Sequence, residues 1–214
     1  MPVTARLGVS GVLVEPTSVL VKAWERIVRI AETGVPAGRP TALISGAGAL
    51  GLLAALLAVR RGYQTYVLAR RWTERREALV GELGAVPVEP ARAGGLPAPD
   101  VVLDTTGAPA VVAELVRLVA RNGVVCLAGF AAGAADPAPL AALIDRLVSG
   151  NLVLMGTVNA ARHHYEQAAS ALAGADPDWL ARLITRRVPL PTWPDALRRG
   201  PDDVKVVVDL TTAA

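Results

Sequence analysis

Residues 41–71 read TALISGAGALGLLAALLAVRRGYQTYVLARR, and this stretch decides the fold of the chain. A short apolar run leads into three glycines, and an Ala/Leu segment of helical length follows and ends at Gly62. A second apolar run then covers residues 63–69. The order of these patterns predicts a strand, a tight turn, a helix and a second strand.

The three glycines have the spacing Gly-x-Gly-x-x-Gly, which has a mechanical meaning in a strand–turn–helix unit. Gly46 allows the tight turn, Gly48 lets the backbone approach a pyrophosphate, and Gly51 lets helix and strand pack closely. The first helical residues, Ala49 and Leu50, offer N–H groups and the positive end of the helix dipole to phosphate. We therefore expect a dinucleotide to bind at these five residues.

Two other interpretations of the same stretch stay open. Residues 42–59 carry no charge and are just long enough to span a membrane. The glycines near their start and the arginines after them suit a span poorly, so we expect no membrane association. The segment is also compatible with a buried helix whose glycines bind no ligand.

The end of the second strand indicates which dinucleotide binds. An NAD site usually has a carboxylate there for the ribose 2′-hydroxyl, whereas an NADP site has an arginine for the 2′-phosphate. Here Ala69 is followed by Arg70 and Arg71, so the end of this strand has no carboxylate and is followed by two guanidinium groups. This pattern favours NADP(H) over NAD(H). The alternative is that these arginines, with Arg75 and Arg76, only form the solvated start of the next helix.

Length and composition set the broad class. The 214 residues, 52% of them hydrophobic, are enough for one large α/β domain or for one domain with a small appendage. The formal net charge is +3 and aromatic residues make up 4%, with no basic stripe between them. A nucleic-acid partner is therefore not expected, and a small-molecule substrate is.

The chain has a single cysteine, Cys126, inside the apolar run 124–128. One cysteine excludes a disulfide within the chain, and this position indicates a buried small hydrophobe rather than a nucleophile. The N-terminus has no long apolar core or small-residue cleavage pattern, so no signal peptide is predicted. The expected location is the cytoplasm by default.

Patterns on either side of the glycine motif complete the fold. Residues 1–14 look like a strand-rich lead-in, and a helix starts at Glu15-Pro16-Thr17 and is stopped by Gly34 and Pro36. Beyond the motif, helices are predicted at 73–83, 109–120 and 138–148, and strands at 85–88, 101–104, 124–128 and 152–158. The Pro-rich stretch 87–100 is expected to be a loop or a much shortened crossover. This alternation is typical of an α/β fold with a doubly wound parallel (Rossmann) sheet.

The pattern changes after residue 158. Helices predicted at 162–173 and 177–184 lead to a Pro-rich segment, 188–194, and a last strand, 204–210. The predicted organisation is a lead-in and helix (1–34), a dinucleotide-binding domain (35–158) and a C-terminal tail (159–214). Parallel sheets bind ligands at the carboxyl ends of their strands, which places four residues at the crevice: Thr105, Thr106, Phe130 and Asn159.

Several stretches together resemble the glucose dehydrogenase branch of the zinc-type medium-chain dehydrogenase/reductase superfamily. They lie in the family's order over nearly the whole chain, which is more specific than the glycine motif alone. The matching stretches are VEP (14–16), GAGALG (46–51), RR (70–71), DTTG (104–107), NGV (122–124), GF (129–130), GTVN (156–159) and HYEQA (164–168).

This resemblance implies roles for the matching residues. Arg70 and Arg71 would contact the 2′-phosphate of NADP. The ribose and nicotinamide would be surrounded by residues at the other strand ends: Thr105, Thr106, Gly107, Phe130, Val158 and Asn159. Asn159 would also lie close to a sugar hydroxyl. The two termini would form a small remnant of the family's catalytic lobe.

The resemblance also raises the question of zinc. Glu15 matches a position that helps form the family's catalytic metal site, but the other ligands lie in an upstream GroES-like lobe, and this chain begins after almost all of it. A catalytic zinc ordinarily needs three protein ligands, so zinc is not expected. His163 and His164 are adjacent on a predicted helix, so we expect them to point in different directions and to have a surface or capping role rather than to chelate a metal.

No catalytic residue can be assigned from the sequence. Val19 stands where some sugar-oxidising relatives have a carboxylate, which puts a glucose-like substrate in doubt. No Tyr-x-x-x-Lys pair exists, and Asp104 is expected to brace its loop. The remaining candidates for an acid or base are such by location only: His164, Tyr165 and Glu166.

Three functions are compatible with these patterns. The first is a zinc-independent, NADP(H)-dependent oxidoreductase that transfers hydride to or from a small molecule. The second is a redox-inactive nucleotide-binding module, and the third is a Rossmann domain repurposed for non-redox chemistry or for partner binding.

The segment 152–158, LVLMGTV, is expected to be an exposed edge strand that pairs across a twofold axis near Met155. A homodimer or a higher homo-oligomer would follow. The alternative is that a loop or the 204–210 tail shields this edge.

Overall fold

The computed structural model describes residues 5–31, 38–131, 140–198 and 200–211. Its strands are β1 (Thr41–Ser45), β2 (Gln64–Leu68), β3 (Val86–Val88), β4 (Val101–Asp104), β5 (Val124–Leu127), β6 (Val153–Gly156), β7 (Ile184–Pro189) and β8 (Lys205–Asp209). Its α-helices are α1 (Val14–Ala31), α2 (Ala49–Arg60), α3 (Glu74–Glu82), α4 (Pro90–Ala93), α5 (Pro109–Leu118), α6 (Leu140–Gly150), α7 (Arg162–Ala173) and α8 (Pro177–Leu183). Two 3₁₀ segments span Ala5–Leu13 and Leu190–Leu197.

Six strands form one parallel sheet in the order β3-β2-β1-β4-β5-β6, which confirms the predicted α/β architecture. Successive residues of a strand face opposite sides of the sheet. Ile44 accordingly packs into one hydrophobic cluster with α1, α2, α3, α7 and α8, whereas Leu43 packs into a second cluster with α4 and α5. The sheet is therefore buried on both faces, as a continuous apolar strand pattern predicts.

The uncharged segment at the glycine motif forms β1 and the buried helix α2. Residues 51–58 of α2 are all buried, and the hydrophobic surface that suggested a membrane span instead packs in the protein core. None of the helices in the described ranges combines the length and hydropathy needed to cross a membrane.

The prediction of a strand-rich lead-in is wrong. Ala5–Leu13 is a 3₁₀ helix with a kink at Gly8, and α1 begins directly after it at Val14. Leu7, Ser10 and Leu13 are buried at intervals of three residues, which is the period of a 3₁₀ helix rather than of a strand. Residues 1–4 and the proposed stop signals of α1 at Gly34 and Pro36 lie outside the described residues.

Two further segments can be compared with their predictions. The Pro-rich stretch 87–100 is a much shortened crossover rather than a continuous loop, because Pro87 lies within β3 and Pro90 begins the short helix α4. β3 is an edge strand, where a proline removes no essential ladder hydrogen bond. In the tail, β7 was not predicted; the last strand was, but it pairs in parallel with β7 in a separate two-stranded sheet.

Candidate functional site

The glycine turn brings β1 and α2 unusually close together. Gly46 has φ of 106° and its N–H donates to the Leu68 carbonyl of β2 (2.8 Å). A Cβ atom on Gly51 would lie 1.8 Å from the Gly46 carbonyl oxygen, so only glycine fits there. Gly48 precedes α2 in an extended conformation and no side chain caps the helix. The start of α2 is thus a cradle of backbone N–H groups of the kind that holds phosphate.

The loop after β4 packs directly against this turn. The Thr105 hydroxyl and N–H both donate to the Ser45 carbonyl, at 2.7 and 2.9 Å. Asp104 is fully buried, and its carboxylate accepts from the Thr106 hydroxyl (2.7 Å) and the Gly107 N–H (2.9 Å). Asp104 therefore braces the loop, as expected, and its carboxylate is occupied by that role.

The loops after β4 and β5 touch each other through glycines. Gly107 has φ of 64°, and a Cβ atom there would lie 1.8 Å from the Phe130 carbonyl oxygen. A Cβ atom on Gly129 would lie 2.4 Å from the Gly107 nitrogen. The Phe130 side chain is left 82% exposed at this edge, and Val158 after β6 is 51% exposed. Asn159 is exposed beside it, with φ of 55°.

The two arginines after β2 are available to a ligand. Arg70 and Arg71 are both exposed, and no hydrogen bond or ion pair connects either guanidinium to another residue in the described part of the chain. Arg76 behaves differently, because it donates to the Pro201 and Asp203 carbonyls of the tail. Arg70, Arg71, Arg75 and Arg76 are therefore not one uniform solvated cluster.

The predicted cofactor residues come together at one edge of the molecule. Each group follows the end of one strand. The glycine turn follows β1, and Arg70 and Arg71 follow β2. Residues 105–107 follow β4, Phe130 follows β5, and Val158 and Asn159 follow β6. These strands are parallel, so their carboxyl ends lie on the same edge of the sheet. The arrangement is a glycine-lined crevice with a basic end at β2 and an apolar end at β5 and β6.

Among the described residues, no set of three metal ligands is assembled around Glu15. The one group of three metal-ligating side chains found within the described ranges is Glu25, His163 and His164, and it does not include Glu15. Glu15 is exposed at the start of α1. The residues present here therefore do not fit the family's zinc centre.

The expectation that His163 and His164 diverge is wrong. Their rings lie 3.8 Å apart between centroids, and their Nε2 atoms lie 3.5 and 3.1 Å from Glu25 Oε2. Both residues are in the first turn of α7, where the rings turn toward α1. Glu25 was missed because 138 residues separate it from His163, and no local pattern links them.

Two further reactive side chains, Cys126 and Glu166, lie outside the crevice or are already engaged. Cys126 is buried in β5, and burial raises the pKa of its thiol to about 12, so it remains a neutral hydrophobe. Glu166 pairs with Arg162 at 3.1 Å. A cavity of about 620 Å³ lies between α1, α2 and α7, but none of the predicted cofactor residues lines it.

Comparison with known proteins finds one family over nearly the whole chain. The family model described as "Glucose dehydrogenase C-terminus" matches residues 8–210. The chain is 34% identical over 203 residues to glucose 1-dehydrogenase 2 of Vulcanisaeta moutnovskia, which covers 93% of this chain and 58% of that protein. It is 30% identical over 224 residues to glucose 1-dehydrogenase of Methanocella arvoryzae, covering 98% and 61%. The chain thus spans about three fifths of the length of these relatives.

Solved structures give the same result. The structure of Haloferax mediterranei glucose dehydrogenase in complex with NADP, Zn and gluconolactone is similar with a TM-score of 0.82 at 27% identity, covering 94% of this chain and 59% of that one. L-idonate 5-dehydrogenase of Escherichia coli is similar with a TM-score of 0.74 at 22% identity, covering 94% and 57%. The second likeness shows the shared fold.

Proposed function

This chain belongs to the glucose dehydrogenase C-terminus family of the zinc-type medium-chain dehydrogenases/reductases, and from that premise we propose that it binds NADP(H) for hydride transfer to or from a small molecule. The observation that carries the proposal is the pair Arg70 and Arg71, which stands beside the glycine turn where an NAD site has a carboxylate. Both guanidinium groups are exposed and uncommitted within the described residues.

The residues of the crevice have distinct tasks in this proposal. The start of α2 holds the pyrophosphate, because Gly48 and Gly51 leave its N–H groups accessible and close to β1. Arg70 and Arg71 bind the 2′-phosphate with charge-assisted hydrogen bonds. The nicotinamide, when bound, supplies or accepts the hydride. Thr106, Phe130 and Asn159 would then exclude water from its ribose end.

We further propose that hydride transfer on this chain uses no zinc of its own. Glu15 belongs to no group of three metal-ligating side chains within the described residues, and one carboxylate cannot hold a catalytic zinc. We expect purified protein to contain less than one zinc per chain by elemental analysis and to keep its activity in a chelator. One tightly held zinc per chain that disappears in Glu15→Gln would contradict this.

The test of the cofactor proposal is calorimetry with NADPH and NADH. We expect NADPH to bind more tightly, since each charge-assisted contact to the 2′-phosphate contributes about 1.5–3 kcal/mol. Arg70→Ala combined with Arg71→Ala removes most of that preference. Arg121→Ala is the control: it removes an exposed charge that precedes β5, at the opposite edge of the sheet. Equal affinity of the parent protein for both cofactors would refute the proposal.

Ligand released from the purified protein separates the competing functions. Bound NADP(H) that a carbonyl or alcohol substrate converts supports the oxidoreductase. Bound NADP(H) that no substrate converts supports the redox-inactive module instead. Protein that neither retains nor binds a nucleotide supports a repurposed domain.

We also propose that the chain forms a homodimer through the β6 edge. β6 ends the six-stranded sheet, and the neighbouring helix α6 exposes three apolar side chains at intervals of four residues. Leu140, Ile144 and Val148 are 65%, 50% and 78% exposed. An unpaired edge beside such a stripe favours association, and a twofold axis would cover both.

The dimer is tested by light scattering on α6 variants. Met155 is only 7% exposed and packs in the core, so a charge there would disturb folding rather than association. Ile144→Glu combined with Val148→Glu is expected to give a folded monomer. Leu197→Glu, which changes an equally exposed leucine of the tail, should leave the dimer intact. A parent protein that is monomeric at micromolar concentration would contradict the proposal.

A further inference from the structure

One face of α1 holds the connection between β6 and α7. The Lys22 ammonium group donates to the Val158 carbonyl (2.9 Å), and Arg26 donates to the Gly156 carbonyl (2.8 Å). Between them, Glu25 Oε2 lies 3.1 Å from His164 Nε2. Residues 22, 25 and 26 have the spacing i, i+3 and i+4, which places them on one side of the helix.

His164 links Glu25 to the connection, because one ring nitrogen contacts Glu25 and the other contacts the backbone of Ala161. Its Nδ1 atom accepts a hydrogen bond from the Ala161 N–H (2.9 Å), and its side chain is 8% exposed. An imidazole nitrogen that accepts carries no proton, so the proton of the neutral ring is on Nε2 and is donated to Glu25. Glu25 therefore fixes the ring, and the ring fixes Ala161.

The connection held in this way contains a left-handed turn. Asn159 has φ of 55°, a conformation that asparagine adopts more readily than most non-glycine residues. Hydrogen bonds from α1 and His164 fix the chain on both sides of it, at Gly156, Val158 and Ala161.

We propose that Glu25 and His164, together with Lys22 and Arg26, are positioning residues that hold Val158 and Asn159 in place at the nicotinamide end of the crevice. This inference rests on the proposed binding of NADP(H), to which it adds the part of the protein that shapes the apolar end of the site. These residues touch the connection and not the cofactor.

A metal ion at Glu25, His163 and His164 is the competing explanation for this cluster. A histidine that ligates a metal normally donates the N–H of its other ring nitrogen, whereas Nδ1 of His164 accepts from a backbone amide. The ligand position on Nε2 is then occupied by the proton. Glu25 Oε1 is also engaged by Arg29. The observed hydrogen bonds therefore describe a clamp rather than a ligand set.

Glu25 is the charged partner of the His164 ring. Burial raises the pKa of Glu25, but Arg29 and the hydrogen bond from His164 outweigh it and lower that pKa, so Glu25 stays ionised. The ionised carboxylate accepts the proton on Nε2 of His164 as a charge-assisted hydrogen bond.

The test uses two variants and one control. The two variants separate the acceptor role of Nδ1, toward Ala161, from the donor role of Nε2, toward Glu25. His164→Asn keeps an acceptor near the position of Nδ1 but does not reach Glu25, whereas His164→Gln keeps a donor near Nε2 but loses the acceptor. His163→Asn is the control, because His163 is 55% exposed and, of the two rings, it is His164 that has the hydrogen bond to Ala161. We expect each His164 variant to bind NADPH about three- to tenfold more weakly and His163→Asn to match the parent.

Hydrogen exchange of the Ala161 amide without cofactor separates this inference from the proposed function. We expect slow exchange in the parent and in His163→Asn, and faster exchange in His164→Gln. That result supports the clamp even if NADPH does not bind, whereas equal exchange in all three overturns it even if NADPH does. A one-to-one complex with Zn²⁺ that is lost equally in His163→Asn and His164→Asn would also overturn it.

Discussion

The six-stranded sheet and the C-terminal tail are stabilised by different kinds of contact. Every residue of β1 and β4 is buried, and the sheet lies between two hydrophobic clusters. In the tail, all five residues of β8 are only half-buried, and β7 has a single buried residue, Val188. Burial of apolar surface is the main stabilising term for the first region, and the tail has much less of it.

In the tail, polar contacts replace much of the apolar burial that stabilises the sheet. Arg186 of β7 pairs with Asp203 at 2.7 Å and donates to the Asp195 and Arg198 carbonyls. Arg182 and Arg76 connect the tail to α3 and its surroundings through Glu82 and through backbone carbonyls. These contacts join residues distant in sequence, and ion pairs at exposed positions contribute little each. The tail should therefore open more readily than the sheet.

The strongest way to disturb the sheet is a methyl group at the glycine turn. Gly51→Ala would place a Cβ atom 1.8 Å from the Gly46 carbonyl oxygen, so β1 and α2 must separate. We expect the free energy of unfolding to fall by about 3 kcal/mol, the upper end for overpacking, and NADPH binding to be lost. Denaturant titration measures the first effect and calorimetry the second.

Gly81→Ala is the matched control for that variant. Gly81 is also inside a helix, α3, but a Cβ atom there would have no neighbour within 4 Å. Alanine has the higher helix propensity, so this change should raise the free energy of unfolding by about 0.5–1 kcal/mol. A similar loss of stability in both variants would show that the turn is not the tightly packed point that we describe.

A medium effect is expected where the two regions meet. Trp179 of α8 is buried, and its indole N–H donates to the Leu79 carbonyl of α3 (2.9 Å). Trp179→Phe leaves that carbonyl without its donor, which should cost about 1–3 kcal/mol in unfolding free energy. Trp193→Phe is the control, because Trp193 is 52% exposed, and it should change stability by less than about 0.5 kcal/mol. Equal effects would mean that Trp179 does not connect the tail to the sheet.

The same contrast explains what the sequence predicts well. β4 and α7 have the bounds that their patterns predict, because a buried strand and an amphipathic helix are local signals. The signal for the glycine turn is equally local, because Gly46 and Gly51 are five residues apart in the sequence and the close packing between them requires glycine at position 51. The predicted edge position of β6 also agrees with the structure. The domain boundaries and the cofactor roles stay predictions.

The failures come from contacts that are distant in sequence. The strand β7 contains Arg186 and Arg187, which mask its pattern, and Arg186 is stabilised by Asp203 further along the chain. The approach of His163 and His164 to Glu25 depends on how α7 packs on α1. Hydrophobic periodicity carries no information about such pairs, so no reading of local pattern would have found them.

The smallest expected effect is an opening of the tail in acid. The hydrogen bonds from Arg186 and from the Gly200 N–H lower the pKa of Asp203 below its ordinary value of 3.8. A carboxylate whose pKa is lower in the folded state stabilises that state above its unfolded pKa, and this contribution is lost as the pH falls through the folded pKa. We therefore expect hydrogen exchange in β8 to lose protection as the pH falls below about 3.8, while β1 stays protected.

Asp203→Asn tests the origin of that effect. The variant removes the carboxylate that Arg186 contacts, so β8 should exchange faster at neutral pH and should respond less to acid than in the parent. Glu82, whose pKa the hydrogen bond from Arg182 lowers, titrates in the same direction, so some acid response should remain. Protection factors corrected for intrinsic exchange provide the measurement, with β1 as the internal reference. If β1 and β8 lost protection together, the two regions would open as one unit, and the ion pairs of the tail would not set its stability separately from the sheet.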